Sequence, residues 1–176
     1  MGRDGKLVFS EELGLLTGEF FKDSAPALLS RGTEASFRID GAEEFFAWFP
    51  QFKGDLIGTS PTYQADARNY IFRLSARVRA FILREELVAR SAEYGGARVE
   101  DFCLYRSGRT LADVVTHEDM FHADEETAAF LKERYISFLQ RDERYEFFKL
   151  RFSSLDEKGR KTFLESLRPL LADGAA

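Results

Sequence analysis

Apolar residues recur along most of the chain at helical spacing, and a few short stretches alternate instead. Ser10 stands where an N-cap belongs, Glu11 and Glu12 follow it, and Leu13, Leu16 and Phe20 repeat on one side. Residues 10–22 are therefore predicted to be helical, although Gly14 and Gly18 weaken the helix by about 1 kcal/mol each. Ser24-Ala25-Pro26 reads as the start of a short second helical segment. Residues 35–40, Ala-Ser-Phe-Arg-Ile-Asp, alternate as a strand closed by Asp40-Gly41. A weaker strand candidate over 6–9 can pair with it.

Residues 41–49 form a compact predicted helix stopped by Pro50. Ser60-Pro61 then reads as an N-cap and first helical residue, opening a helix of roughly thirty residues that ends at Tyr94, before Gly95-Gly96. On that helix Tyr70, Ile71, Leu74, Val78, Phe81, Ile82 and Val88 fall within a ~120° arc, and Phe72, Leu83 and Leu87 form a second apolar patch. A helix apolar on two sides is sandwiched between neighbours. Further on, 97–105 reads as strand or loop and 111–115 as a short helix or turn. Asp124 caps a helix reaching about Gln140, 142–152 continues it, and Ser154-Leu155-Asp156-Glu157 matches a capping box opening a last helix.

The pattern predicts a mainly α fold, a compact helical bundle built around one long central helix with at most a small β-hairpin. An α+β arrangement is the second choice. The 176 residues suit a single domain with frayed ends at 1–5 and 172–176.

Composition adds one unusual fact. There are 18 Phe against 6 Tyr and 1 Trp, so most of the aromatic surface has no polar handle and favours burial. The excess concentrates at Phe45, Phe46, Trp48, Phe49 and Phe52, too many aromatics for so short a helix to aim at one core, which makes this cluster a candidate interface. Net charge is −5, and no basic excess marks a nucleic-acid binder. The lone Cys103 excludes an intramolecular disulfide, no apolar stretch reaches membrane-spanning length, and the N-terminus lacks a secretory pattern. A cytoplasmic setting is the expectation.

Candidate chemistry is sparse. Arg73, Arg77 and Arg84 lie within one stripe of the long predicted helix, and Thr59-Ser60 with Arg68 at its start make an anion cradle conceivable. Their plainer role is to flank the apolar stripe and pair with carboxylates. His117, Asp119 and His122 are metal-ligating types, but the two histidines are five apart, so the zincin spacing fails. Cys103, between Phe102 and Leu104, reads as a buried inert thiol.

Trp48-Phe49-Pro50-Gln51-Phe52 followed by a long helix resembles the corner before the distal helix in globins. On that resemblance His117 is similar to the proximal ligand, and haem would be the implied cofactor. The strand expected over 35–40 and the absence of a distal His depart from the globin pattern.

The favoured expectation is a non-catalytic interaction or regulatory module, binding a protein partner or self-associating through the aromatic cluster or the C-terminal helices, and needing no cofactor. The alternative is a ligand-binding sensory domain taking an anion, a metal or haem. A metal-dependent hydrolase built on His117, Asp119 and His122 is a third.

Overall fold

A computed structural model describes residues 14–62, 67–118, 120–139, 152 and 155–162, with the side chains of 14–17, 117, 136 and 139 excluded. The elements in chain order are α1 (Gly14–Arg31), β1 (Glu34–Asp40), α2 (Ala42–Trp48), a 3-10 turn (Pro50–Gly54), β2 (Leu56–Pro61) and β3 (Ala67–Arg73). Then come α3 (Ala76–Arg84), β4 (Ala92–Tyr94), β5 (Ala97–Arg106), β6 (Arg109–Val115), a second 3-10 turn (Thr116–Glu118), β7 (Met120–Ala123) and α4 (Glu125–Leu139). The strands build one antiparallel sheet in the order β2-β3-β1-β5-β6-β7, and β4 pairs with the start of β5.

This sheet-rich α+β fold corrects the helical bundle, and with it the all-α class. The long central helix does not form. Residues 61–94 instead hold the end of β2, all of β3, α3, a turn and β4. Tyr70 and Phe72 stand opposite Phe37 and Ala35 of β1, on the core face, while Ile71 stands opposite Ser36 on the other face. The 3.6-residue stripe had merged both faces of a strand with one face of a nine-residue helix. Aromatic and β-branched residues over 70–72 favour the pleated alternative, and the pairing with β1 selects it. Ser75 rather than Ser60 is the cap, its Oγ accepting from the Val78 amide at 3.4 Å. Residues 111–115 are also strand, within β6.

Other elements follow the pattern. Residues 35–40 lie in β1, 42–48 in α2, and 97–105 in β5. Asp124 caps α4, its Oδ1 accepting from the Thr127 amide at 2.8 Å. The break expected at Ser24 is absent. α1 runs through Pro26, which faces solvent while Ala25, Leu28 and Leu29 are buried beside it. The strand expected over 6–9 and the helix over 142–151 lie outside the described residues. Of the last helix, 157–162 are described, with Asp156 accepting from the Gly159 amide at 2.7 Å.

The described α-helices pack on one face of the sheet, and phenylalanine fills the space between. Phe37 on β1 meets Phe72 at 5.6 Å and both Phe81 and Phe102 at 6.2 Å between ring centroids. Phe81 of α3 is also edge-on to Phe45, Phe49 and Phe52. A second group joins α1 to α4 through Phe20, Tyr135 and Phe138, and Phe21 stacks on Phe121 of β7 at 4.7 Å. Tilted and edge-on rings are the favoured aromatic geometry. No described helix is long and apolar enough to cross a membrane.

Candidate functional site

Alternation along the central strands puts Ala35, Phe37 and Ile39 into the core and Ser36, Arg38 and Asp40 on the opposite face. Ordinarily such a face is simply wet. Here it is not. Ser36 is 2% exposed, Glu100 3% and Cys103 8%, so polar groups on this face are themselves enclosed.

The strand that carries Glu100 and Cys103, β5, is irregular at two places. Its pairing with β1 shifts register between Ser36 and Arg38, and its pairing with β6 shifts again between Leu104 and Tyr105. Each bulge bends the strand and increases its twist. Asp101, at the first, has φ of 55°, a conformation costly for a residue with a Cβ. Reciprocal bonds hold it there. The Asp101 amide donates to Thr116 Oγ1 at 3.2 Å, and the Thr116 amide donates to Asp101 Oδ1 at 2.9 Å.

A groove on this face has a volume of about 800 Å³, and its lining includes Ser36, Asn69, Cys103, Tyr105, Thr110 and Asp113. At one end Arg38 is ringed by carboxylates: Glu100 at 2.8 Å, Asp40 at 3.3 Å and Asp101 at 3.4 Å. Burial pulls the Arg38 pKa down, but the hydrogen bond to Asp40 and the charges of Glu100, Asp40 and Asp101 outweigh it, and the net direction is up. Glu100 is shared with Arg98 at 2.9 Å.

The middle of the groove is a row of register partners. Ser36, Cys103, Asp113 and His122 face one another in turn across β1, β5, β6 and β7. Ser36 Oγ lies 3.1 Å from the Tyr105 hydroxyl. Burial pushes the Cys103 thiol up to about 12, despite hydrogen bonds with Tyr105 and Thr110, and burial also raises the Tyr105 hydroxyl. Asp113 is raised by burial and by the charge of Asp101, with His122 opposing the shift. His122 Nδ1 is 3.8 Å from Asp113 Oδ2. A thiol held protonated, facing a carboxylate rather than an imidazole, lacks the activation that nucleophilic catalysis requires.

Comparison with known proteins adds nothing to this geometry. The chain matches no family model, no curated protein and no solved structure.

The residues singled out from the sequence are scattered by the fold. Thr59 and Ser60 lie in the edge strand β2, Arg68 and Arg73 in β3, and Arg77 and Arg84 in α3. The stripe existed only on the continuous helix. Arg77 Nε instead pairs with Asp55 at 3.0 Å, and Arg84 pairs with Glu85 and lies over the Phe81 ring. His117 is in the second 3-10 turn, Asp119 lies outside the described residues, and His122 faces Asp113. Among the described residues, no group of three or more His, Cys, Asp or Glu is placed to hold a metal ion.

The aromatic cluster divides. Phe45 and Phe52 are core residues, Phe46 and Phe49 are half-buried against it, and Trp48 is 62% exposed. A hollow of about 440 Å³ opens between Phe46, Ala47, Lys53 and Tyr70. Sequence reasoning missed the groove, although its signal was present. In Asp101-Phe102-Cys103-Leu104-Tyr105 and Ala112-Asp113-Val114 the polar residues alternate with core residues, the mark of a two-faced strand.

Proposed function

We propose that the protein is a non-catalytic binding module that holds a small polar ligand in the groove on the outer face of its sheet. The carrying observation is the burial of Ser36, Glu100 and Cys103 on the face opposite the core residues Ala35, Phe37 and Ile39. Evenly wet sheet faces need no such enclosure, and concave sites with a few converging polar groups are where small ligands bind. The strained Asp101 backbone at the groove floor fits this reading, since strain gathers where a site must be shaped. The protonated thiol favours binding over catalysis. A cytoplasmic setting belongs to the same proposal, and the single buried Cys103 agrees with it.

A thermal-shift screen of the full chain against small polar metabolites tests the reading. A ligand at a hundred times its Kd adds about 2.7 kcal/mol of stability. The hit should lose its effect in Asn69→Ala, which alters the groove wall without touching the core. A hit indifferent to Asn69→Ala but abolished by Trp48→Ala would move the site to α2.

That outcome belongs to a second reading, an interaction or regulatory module that self-associates. One observation favours it: Trp48 is 62% exposed, a large aromatic side chain open to solvent. Light scattering across a concentration series tests it. A concentration-dependent dimer abolished by Trp48→Ala supports the reading, and a monomer throughout removes it.

A further inference from the structure

We propose that the ligand of this groove is a small organic cation, an amine with hydrogen-bonding groups, rather than an anion. The proposal rests on the binding reading above and names the chemical class it accepts. Among the described lining residues, Arg38 is the one cation against the carboxylates of Asp101, Asp113 and Glu118. Arg38 is also already engaged. Its guanidinium meets Asp40, Glu100 and Asp101 together, so its charge is screened from anything entering the groove. An incoming phosphate or carboxylate would have to displace those partners and then face their uncompensated charge.

A cation meets the opposite situation. Asp113 stands in the central row with Cys103 on one side and His122 on the other; burial and the charge of Asp101 disfavour its carboxylate, His122 opposes them, and the net direction is still up. A positive group beside it relieves both effects. The neutral lining supplies what holds the rest of such a molecule: the Asn69 amide and the hydroxyls of Ser36, Tyr105 and Thr110. A metal ion is the poorer fit, because among the described residues no three ligating side chains converge. The cavity makes the difference between this arrangement and a solvated acidic patch. At about 800 Å³, with Ser36 and Cys103 enclosed in its walls, it can cover the body of a ligand while the Asp113 side chain, 44% exposed, meets the charged end.

The test is a titration of the ¹⁵N-labelled full chain, followed by amide chemical shifts at moderate salt. The probes are putrescine, spermidine and ethanolamine, with citrate, inorganic phosphate and glucose as counterparts. At least one amine should shift the amides of Cys103, Tyr105 and Asp113, and Asp113→Asn should weaken that binding at least tenfold while leaving the spectrum folded. Glu118→Gln, at an exposed site on the rim, should weaken it less. Amine binding unchanged by both substitutions would reveal diffuse attraction to an acidic protein and overturn the proposal. Citrate, phosphate or glucose shifting the same amides, with no amine doing so, would overturn the cation class and leave the groove as the site. If no probe shifts them and the metabolite screen also gives no groove-dependent hit, the binding reading falls as well.

Discussion

Cys103 on β5 and Asp113 on β6 are register partners on the outer face of the sheet, in a row that runs from Ser36 to His122. Cys103 is enclosed and the Asp113 side chain is 44% exposed, and the partial burial of the carboxylate and the burial of the thiol push both toward their neutral forms. That relationship sets the expected behaviour of both residues.

Asp113 should make the fold less stable as pH rises. A carboxyl whose native pKa lies above its unfolded value binds more protons when folded, so stability falls as the solution passes upward through that range. Asp113→Asn removes the loss. Thermal denaturation should give the variant the higher Tm at pH 7, with the gap closing as pH drops below the ordinary carboxylate value of about 3.9. A variant that melts lower at pH 7 would contradict the account. A stabilising change that weakens binding is the trade expected at a functional site.

Cys103 should be chemically silent in the native protein. With the thiol at about 12, the thiolate fraction at pH 8 is about a thousandfold below that of a free cysteine. Iodoacetamide labelling followed by mass spectrometry should proceed in urea and stall in buffer. Rapid native labelling would mean that the thiol is exposed or activated.

Arg38 should be costly to remove. Arg38→Ala leaves Glu100, whose side chain is 2% exposed, with Arg98 alone to balance it. Breaking one side of a buried pair costs about 3–5 kcal/mol. Urea denaturation should find a loss of that order, with part of it recovered in Arg38→Ala/Glu100→Ala. A change below about 0.5 kcal/mol, the usual bound for plain surface substitutions, would show the cluster to be solvated.

Gly95 is required twice over. It turns the β4–β5 hairpin at φ of 54°, and a Cβ there would press on the Trp48 indole. Gly95→Ala should cost about 1–2 kcal/mol from the backbone alone. In the variant, Trp48 fluorescence should change as the ring moves aside, and an unchanged melting curve and spectrum would refute this.

What the sequence made legible was local. Asp124 was readable as a cap because its carboxylate sits three residues before the amide it satisfies. The alternation over 35–40 marked β1, and the aromatic run before Pro50 marked α2. β3 was not legible, because Tyr70, Phe72 and Leu74 satisfy a period of two while Tyr70, Ile71, Leu74 and Val78 satisfy 3.6. Only pairing with Phe37 and Ala35, some thirty-five residues away in sequence, decides between them. The error then spread to chemistry. Joining β3 to α3 aligned Arg73, Arg77 and Arg84 into a stripe, whereas Arg77 in fact pairs with Asp55. The groove was hidden for a related reason, since Ser36, Asn69, Cys103 and Asp113 lie far apart in sequence and meet only through strand register.

The most direct test of the central claim, that the outer face of the sheet is the binding surface, is a structure of the protein with the best hit from the metabolite screen. Density is expected between Asn69 of β3 and Asp113 of β6, over Ser36 and Tyr105. Density in the Phe46–Tyr70 hollow or against Trp48, with the groove holding only solvent, would contradict it.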